Sequence, residues 1–248
     1  MFAFHLREPP RVEGDILTST DPFTIRHLRV ARIKPKEPFV LIHQGLRMEC
    51  RLIALKHDNL RARVLYSEKP PRPRPRLLVA LGLLEGRKLD EAVFVLTQLG
   101  VDSFIIFQSK RSGALRITAS REERWRRKIL DACEIGDIVH PPALQVVAGI
   151  DALSELGNRI LGVGAHQLLF YEAADDEVRT LMDVVSEPYG GQGIIAVVGP
   201  EGGFESEEVA AFARRRFQVV SLSARILEAR AAAYYIASHL TAWMGKLA

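Results

Sequence analysis

This 248-residue chain contains no long apolar run. Nothing approaches the roughly eighteen consecutive apolar residues of a membrane helix, so no membrane span is expected. The opening Met1-Phe-Ala-Phe-His-Leu-Arg7 lacks the charged-then-apolar order of a secretory leader. Cysteine is scarce. Cys50 and Cys133 fall in stretches that read as different domains, and they make neither a disulfide framework nor a metal cluster. A reducing cytoplasm and a metal-free site are therefore expected. Neither a GxxxxGK[ST] loop nor a strand-linked GxGxxG occurs, which weighs against an ATP- or NAD-dependent enzyme.

What is present begins with a 48% hydrophobic composition, ample for a core, and a net charge of +4. That charge is unevenly spread. Residues 1–76 carry 16 Lys+Arg against 8 Asp+Glu, a balance of +8, and the remaining residues carry 18 against 22, a balance of −4. A small basic module gripping a polyanion, joined to a larger one that does chemistry, fits this asymmetry. A solvated basic surface is the plainer alternative.

Phe39–His43, then Gln44-Gly45, then Leu46–Ile53 read as a β-hairpin, and Leu60–Tyr66 alternates like a further strand. Several short strands in so few residues suggest a small barrel or sheet. Just before them, Arg26, Arg29, Arg32 and Lys34 are spaced to neutralise phosphates, while His27 reads as structural. Glu68-Lys-Pro-Pro-Arg-Pro-Arg-Pro-Arg76 reads as a stiff linker whose Arg72, Arg74 and Arg76 extend the basic surface. The expected domains are 1–68, a linker at 69–76, and 77–248.

Beyond the linker, strands are expected at 77–81, 104–107, 168–171, 194–198 and 218–222. Helices are expected at 89–99 (closed by Gly100), from a capping box at Ser120–Glu123 to Cys133, at 209–217, and at about 227–246. Lys110-Arg111 lies in a basic loop. Strands alternating with helices imply an α/β fold with a mostly parallel sheet.

The most informative stretch is Ile194-Ile-Ala-Val-Val-Gly-Pro-Glu-Gly-Gly-Phe204, a buried strand, a glycine-rich turn, and then acids opening a helix. Such a turn offers main-chain groups to a ligand at the carboxyl end of a strand. Glu201 within it disfavours phosphate and suits an uncharged base or a cationic sulfonium. An ordinary strand-to-helix turn is the alternative.

Gly199-Pro-Glu-Gly-Gly-Phe204 followed by Leu222-Ser-Ala-Arg-Ile-Leu227 resembles the ribosomal RNA small subunit methyltransferase E family, as do Leu83–Lys88, Gln98-Leu-Gly-Val101, Glu123-Arg-Trp125 and His27–Arg32. The likeness spans nearly the whole chain. It implies a PUA-like N-terminal β-barrel that binds RNA and a C-terminal SPOUT domain with a trefoil knot. It also implies S-adenosylmethionine as cofactor, a homodimer through the knot, and methylation of N3 of a uridine in small-subunit ribosomal RNA. On that resemblance the cofactor site comprises Leu168, Leu169, Gly199, Pro200, Glu201, Gly202, Gly203, Leu222, Ser223, Arg225, Ile226 and Leu227, with Arg225 also orienting the substrate. The RNA contacts comprise Arg26, Arg29, Arg32, Lys34, Arg72, Arg74, Arg76, Lys110 and Arg111.

The chain departs from the family pattern where Ile-Leu-Arg-Thr-Glu-Thr-Ala becomes Ile226-Leu-Glu-Ala-Arg-Ala-Ala232. Glu228 replaces an arginine and Arg230 a glutamate, and residues two apart on a helix face different sides. Glu228 is thus expected to repel an RNA phosphate. A weakly active or inactive relative that binds RNA or a nucleotide is the alternative to an active enzyme.

Overall fold

The computed structural model describes residues 1–35, 37–74, 76–113, 115–162, 164–172, 178–222 and 226–246. The chain forms two compact units. The first is Met1–Arg72 with Leu130–Pro141, and the second is Pro73–Ile129 with Pro142–Ala248. Leu130–Pro141, expected in the second domain, belongs to the first unit, and so Cys50 and Cys133 share one unit rather than two. Both thiols are free and buried, and desolvation pushes each up to about 12, so neither is a nucleophile.

The first unit contains β1 (Ala3–His5), β2 (Arg11–Glu13), β3 (Ile16–Ser19), α1 (Pro22–Val30), β4 (Pro38–His43), β5 (Leu46–Leu55) and β6 (Leu60–Glu68). Its six-stranded sheet runs β1-β4-β5-β6-β3-β2, antiparallel except for the β1–β4 pair. Two register shifts bend the long β5–β6 ribbon. The alternation seen in the sequence places Phe39, Leu41, Met48, Cys50, Leu60 and Ala62 on one face, where α1 adds Ile25 and Leu28. Asp21 caps α1, accepting from Phe23 N at 3.0 Å, and Pro22 opens it. Arg26, Arg29, Arg32 and Lys34 are all exposed on or just after α1, with Arg29 donating to Lys56 O at 2.6 Å.

Leu130–Pro141 docks on the opposite face of β1 and β4, where Val139 meets Ala3, Val40 and Ile42. Glu134 bridges the docking. Its Oε1 accepts from His5 N at 3.1 Å, and its Oε2 pairs with His27 Nδ1 at 2.9 Å, so His27 is structural. His5 Nε2 donates to Ile138 O at 3.0 Å. Burial lowers His5 to about 4, opposed by the Ile138 carbonyl and by Asp137. The unfolded state therefore binds more protons than the fold between the ordinary histidine value of 6.5 and about 4. His5 leaves stability complete above that window and erodes it as pH falls through it, by roughly 3 kcal/mol in all. Glu134, raised by desolvation, has the opposite sign and offsets part of this loss. Thermal melts between pH 7 and 4 are expected to show a shallower acid decline for His5→Asn than for the wild type; parallel declines would contradict the assignment.

The second unit contains β7 (Arg76–Gly82), α2 (Lys88–Gln98), β8 (Ser103–Phe107), α3 (Ala119–Gly136, to Ile129 in this unit), β9 (Ala143–Val147) and α4 (Ile150–Leu161). There follow β10 (His166–Phe170), α5 (Leu181–Ser186), β11 (Gly193–Val198), α6 (Ser206–Arg214), β12 (Gln218–Val220) and α7 (Ala229–Trp243). Every pairing in its sheet, β12-β10-β11-β7-β8-β9, is parallel. β8 and β11 are buried along their whole length, which is why their sequences read as unbroken apolar runs. α3 begins one residue before the expected capping box, and its cap is Thr118, whose Oγ1 accepts from Arg121 N at 3.3 Å. From β7 the chain proceeds outward to β8, whereas from β11 it passes to β12 on the other side. The β7–β11 boundary is thus a topological switch point, the place where open α/β sheets present a ligand crevice at their carboxyl edge.

Among the described residues, no helix is long and apolar enough to cross a membrane.

Candidate active-site cleft

At that carboxyl edge, the segments after β10, β11 and β12 and the start of α7 enclose a cleft of about 230 Å³. It is lined by Phe170, Tyr171, Glu172, Val198, Gly199, Pro200, Glu201, Gly203, Phe204, Ser221, Leu222, Ile226, Leu227, Glu228, Ala229 and Ala232. Gly199, Pro200, Glu201, Gly203, Leu222, Ile226 and Leu227, all expected from the sequence, therefore meet around one space. Leu168 and Leu169 do not reach it: they are buried inside β10, and the wall they were expected to form comes from Phe170–Glu172 at the strand's end. Gly202 is also absent from the lining. Ser223 and Arg225 lie outside the described residues.

The glycine-rich turn is shaped by the protein's own packing. A Cβ on Gly202 would sit 3.1 Å from Arg111 Cβ and 3.2 Å from Arg111 O, and one on Gly199 would sit 2.9 Å from the Phe204 ring. Gly203 has φ +68°, and its N–H closes the turn on Pro200 O at 2.9 Å. Phe204 turns inward to stack on Phe107 and meet Phe212 edge-on. Three polar tethers hold the outside. Lys88 Nζ lies 2.5 Å from Glu201 Oε1, Glu85 N donates to Glu201 Oε2 at 3.3 Å, and Arg111 Nη1 donates to Gly202 O at 3.1 Å. The Glu201 carboxylate raises Lys88 above its ordinary value.

The expected helix after the turn starts at Ser206, with Glu205 as its cap. Glu208 is buried there, accepting from Glu205 N at 3.0 Å and from Lys110 N at 3.0 Å. Lys110 Nζ reaches Glu207 at 2.5 Å and Glu205 at 3.4 Å, so its charge is compensated. Arg76 is likewise engaged: it opens β7 and donates its guanidinium to Ile160 O. Arg72 and Arg74 are exposed in the irregular stretch between β6 and β7.

Leu222, Ile226 and Leu227 lie outside helices and strands, and among the described residues their main-chain groups have no hydrogen-bond partner. Apolar side chains and unpaired peptide groups thus occupy the same wall, which suits a flat, neutral, hydrogen-bonding base. The charged members of the lining are Glu172, Glu201 and Glu228; among the described residues no cation faces the cleft. Glu228 caps α7 in an extended conformation (φ −60°, ψ 145°), and Arg230 turns back to it, its Nε 3.0 Å from Oε1. Arg230 also bonds Glu91. The exchanged charges therefore form a pair with each other, contrary to the expectation that they face apart.

A profile of the RNA methyltransferase domain matches residues 70–241. The chain belongs to the RNA methyltransferase domain family. Within that family it is 28% identical over 208 residues to the ribosomal RNA small subunit methyltransferase E of Mycobacterium bovis, covering 82% of this chain and 78% of that protein. The enzyme of the same name from Bacillus subtilis is 25% identical over 224 residues, covering 88% and 86%. In three dimensions, this RNA methyltransferase chain matches the crystal structure of the Neisseria gonorrhoeae enzyme of that name bound to S-adenosylmethionine. The TM-score is 0.80 at 23% identity, covering 98% of this chain and 97% of that one, which establishes a shared fold.

Sequence reasoning missed Phe170–Glu172, Val198, Phe204, Ser221, Glu228, Ala229 and Ala232 as cleft residues. Strand ends were the available signal, since a parallel sheet displays its ligands there rather than along its length.

Proposed function

We propose that this chain is an S-adenosylmethionine-dependent methyltransferase acting on N3 of a uridine in small-subunit ribosomal RNA, in the cytoplasm. Its support is the cleft, which combines apolar walls, unpaired peptide groups and a lining charged only by acids among the described residues. Lys88 pairs with Glu201 and Arg230 with Glu228, which leaves Glu172 as the uncompensated acid of the lining among the described residues; its carboxylate disfavours a nucleotide phosphate and favours a positively charged sulfonium. When bound, S-adenosylmethionine supplies an electrophilic methyl carbon on a cationic sulfur. The chain's part is to hold and orient. Leu222, Ile226 and Leu227 would hold the base between apolar side chains and offer it their peptide groups, while Glu172, which has no ion-pair partner among the described residues, would attract the cationic end. Holding the acceptor nitrogen in line with the methyl carbon supplies much of the rate. Arg225 is assigned to substrate orientation by the family resemblance alone.

A homodimer belongs to the same reading, supported by the half-exposed His166, Tyr189 and Trp243 cluster of the second unit; its check is the mass in solution. The activity is tested by incubating small-subunit RNA with methyl-tritiated S-adenosylmethionine and separating the nucleosides. Label in 3-methyluridine is expected, reduced at least tenfold in Leu222→Asp, which places a charge against the base. Cofactor binding with no label in RNA would overturn the enzymatic assignment.

A further inference from the structure

The basic residues expected to grip RNA near the cleft were Lys110 and Arg111, yet Lys110 is held by Glu205 and Glu207. The cations that remain uncompensated on this edge are Arg111 and two that the sequence did not single out. Arg87 is exposed in the loop between β7 and α2, and Arg116 is exposed in the loop between β8 and α3. Among the described residues neither has an acidic partner. Arg111 is exposed and directs one donor to Gly202 O, leaving the rest of its guanidinium fork unpaired.

These three residues sit on loops that are built and tied together. Arg121 joins the two loops, donating Nη2 to Leu84 O at 3.0 Å and Nη1 to Arg116 O at 3.1 Å. Within the second loop, Ser109 N donates to Ser112 Oγ at 3.0 Å, Arg111 N to Ser109 Oγ at 3.2 Å, and Gln108 Nε2 to Leu115 O at 3.2 Å. Ser109 and Ser112 are buried. Because the sheet is parallel and ordered β11-β7-β8, both loops emerge on the carboxyl edge that carries the cleft, and Lys88–Glu201 and Arg111–Gly202 bind them to its glycine turn.

We propose that Arg87, Arg111 and Arg116 form a phosphate track for the RNA backbone, leading the acceptor strand across the carboxyl edge of the sheet to the cleft. The division of charge gives the reason. The cleft itself is acidic and unsuited to phosphate, so the backbone must be held beside it while a single base enters. Because the loops are already tied, ordering them costs little at binding and only the arginine side chains are immobilised, and their fork geometry matches phosphate oxygens. Such contacts position the RNA without reading its sequence. This inference rests on the methyltransferase reading only for the identity of the polyanion as RNA.

The test measures affinity for a uridine-containing RNA hairpin as a function of salt, for the wild type, Arg87→Gln/Arg116→Gln and Lys110→Gln, alongside calorimetry with S-adenosylmethionine. Neutralising two phosphate contacts is expected to lower the slope of log affinity against log salt by about 1.5 and to weaken binding about tenfold at low salt. Cofactor affinity is expected to stay unchanged, and Lys110→Gln is expected to keep the wild-type slope because that lysine is already paired. A wild-type slope in the double variant, or an equal loss in Lys110→Gln, would overturn the track. Failure of the wild type to bind S-adenosylmethionine would overturn the methyltransferase reading instead, and the salt slopes would still decide the track.

Discussion

Replacing Gly82 with alanine is expected to weaken S-adenosylmethionine binding about 100-fold while leaving the fold intact. Gly82 ends β7 at the switch point, beside the turn that follows β11. A Cβ there would lie 2.4 Å from Pro200 N and 2.8 Å from Gly199 C, and these are backbone atoms that no rotamer change can move aside. The turn would have to shift as a body, against the tethers at Lys88–Glu201 and Arg111–Gly202 and the buried ring of Phe204. Gly199, Pro200 and Glu201 would leave their places on the cleft wall together. Gly190→Ala is the control, since a Cβ at Gly190 meets nothing within 4 Å. Calorimetry with both variants, after matching their melting curves, decides. Equal affinities would show that the position of this turn does not govern the cofactor.

The second large effect lies at the far end of α7. Lys246 is nearly buried, and its ammonium bonds Gly100 O at 2.7 Å and the carboxylate of Asp102, which in turn accepts from Leu77 N at 2.7 Å. This pair fastens the last turn of the chain to the amino-terminal ends of β7 and β8, while the first turn of the same helix lines the cleft through Ala229 and Ala232. Lys246→Met removes one charge and strands the other, a change worth about 3 kcal/mol. For a unit of this size that corresponds to a fall of roughly 6–12 °C in the melting temperature. Adding Asp102→Asn is expected to restore part of the loss, because asparagine still accepts from Leu77 N without an unpaired charge. Calorimetric melts of the two variants would contradict this if the double variant were the less stable.

The central strands and the glycine turn were legible because burial on both faces leaves a continuous apolar run, and because glycines mark a turn wherever the chain must pass close to something. What approaches them was not legible. Gly202 is required by Arg111, 91 residues earlier in the chain, and no local pattern carries that information. Leu168 and Leu169 illustrate a second limit: apolarity reports burial, whereas cleft membership depends on where a strand ends, two residues further on. Residues two apart on a helix face different sides, but α7 starts at Ala229, so Glu228 stands before it and pairs with Arg230. Short elements escaped as well. The three-residue strands β1 and β2 are too brief to display a period, and α4 carries Gly157 mid-helix, which reads as a breaker. In the fold Gly157 is where α4 meets β11, since a Cβ would fall 2.7 Å from Ile195 Cδ1. The passage of α3 from one unit to the other leaves no mark on its periodicity, so Leu130–Pro141 was assigned with its sequence neighbours.

The lining beyond β10, β11 and β12 takes up the methyl donor, and the unpaired peptide groups of Leu222, Ile226 and Leu227 bond it. Amide hydrogen exchange with and without saturating S-adenosylmethionine measures those groups directly. Slowed exchange is expected in peptides spanning 170–172, 198–204 and 226–228, together with Leu222, and little change is expected in β9 or the first unit. Saturation by the ligand with protection confined elsewhere would contradict this assignment.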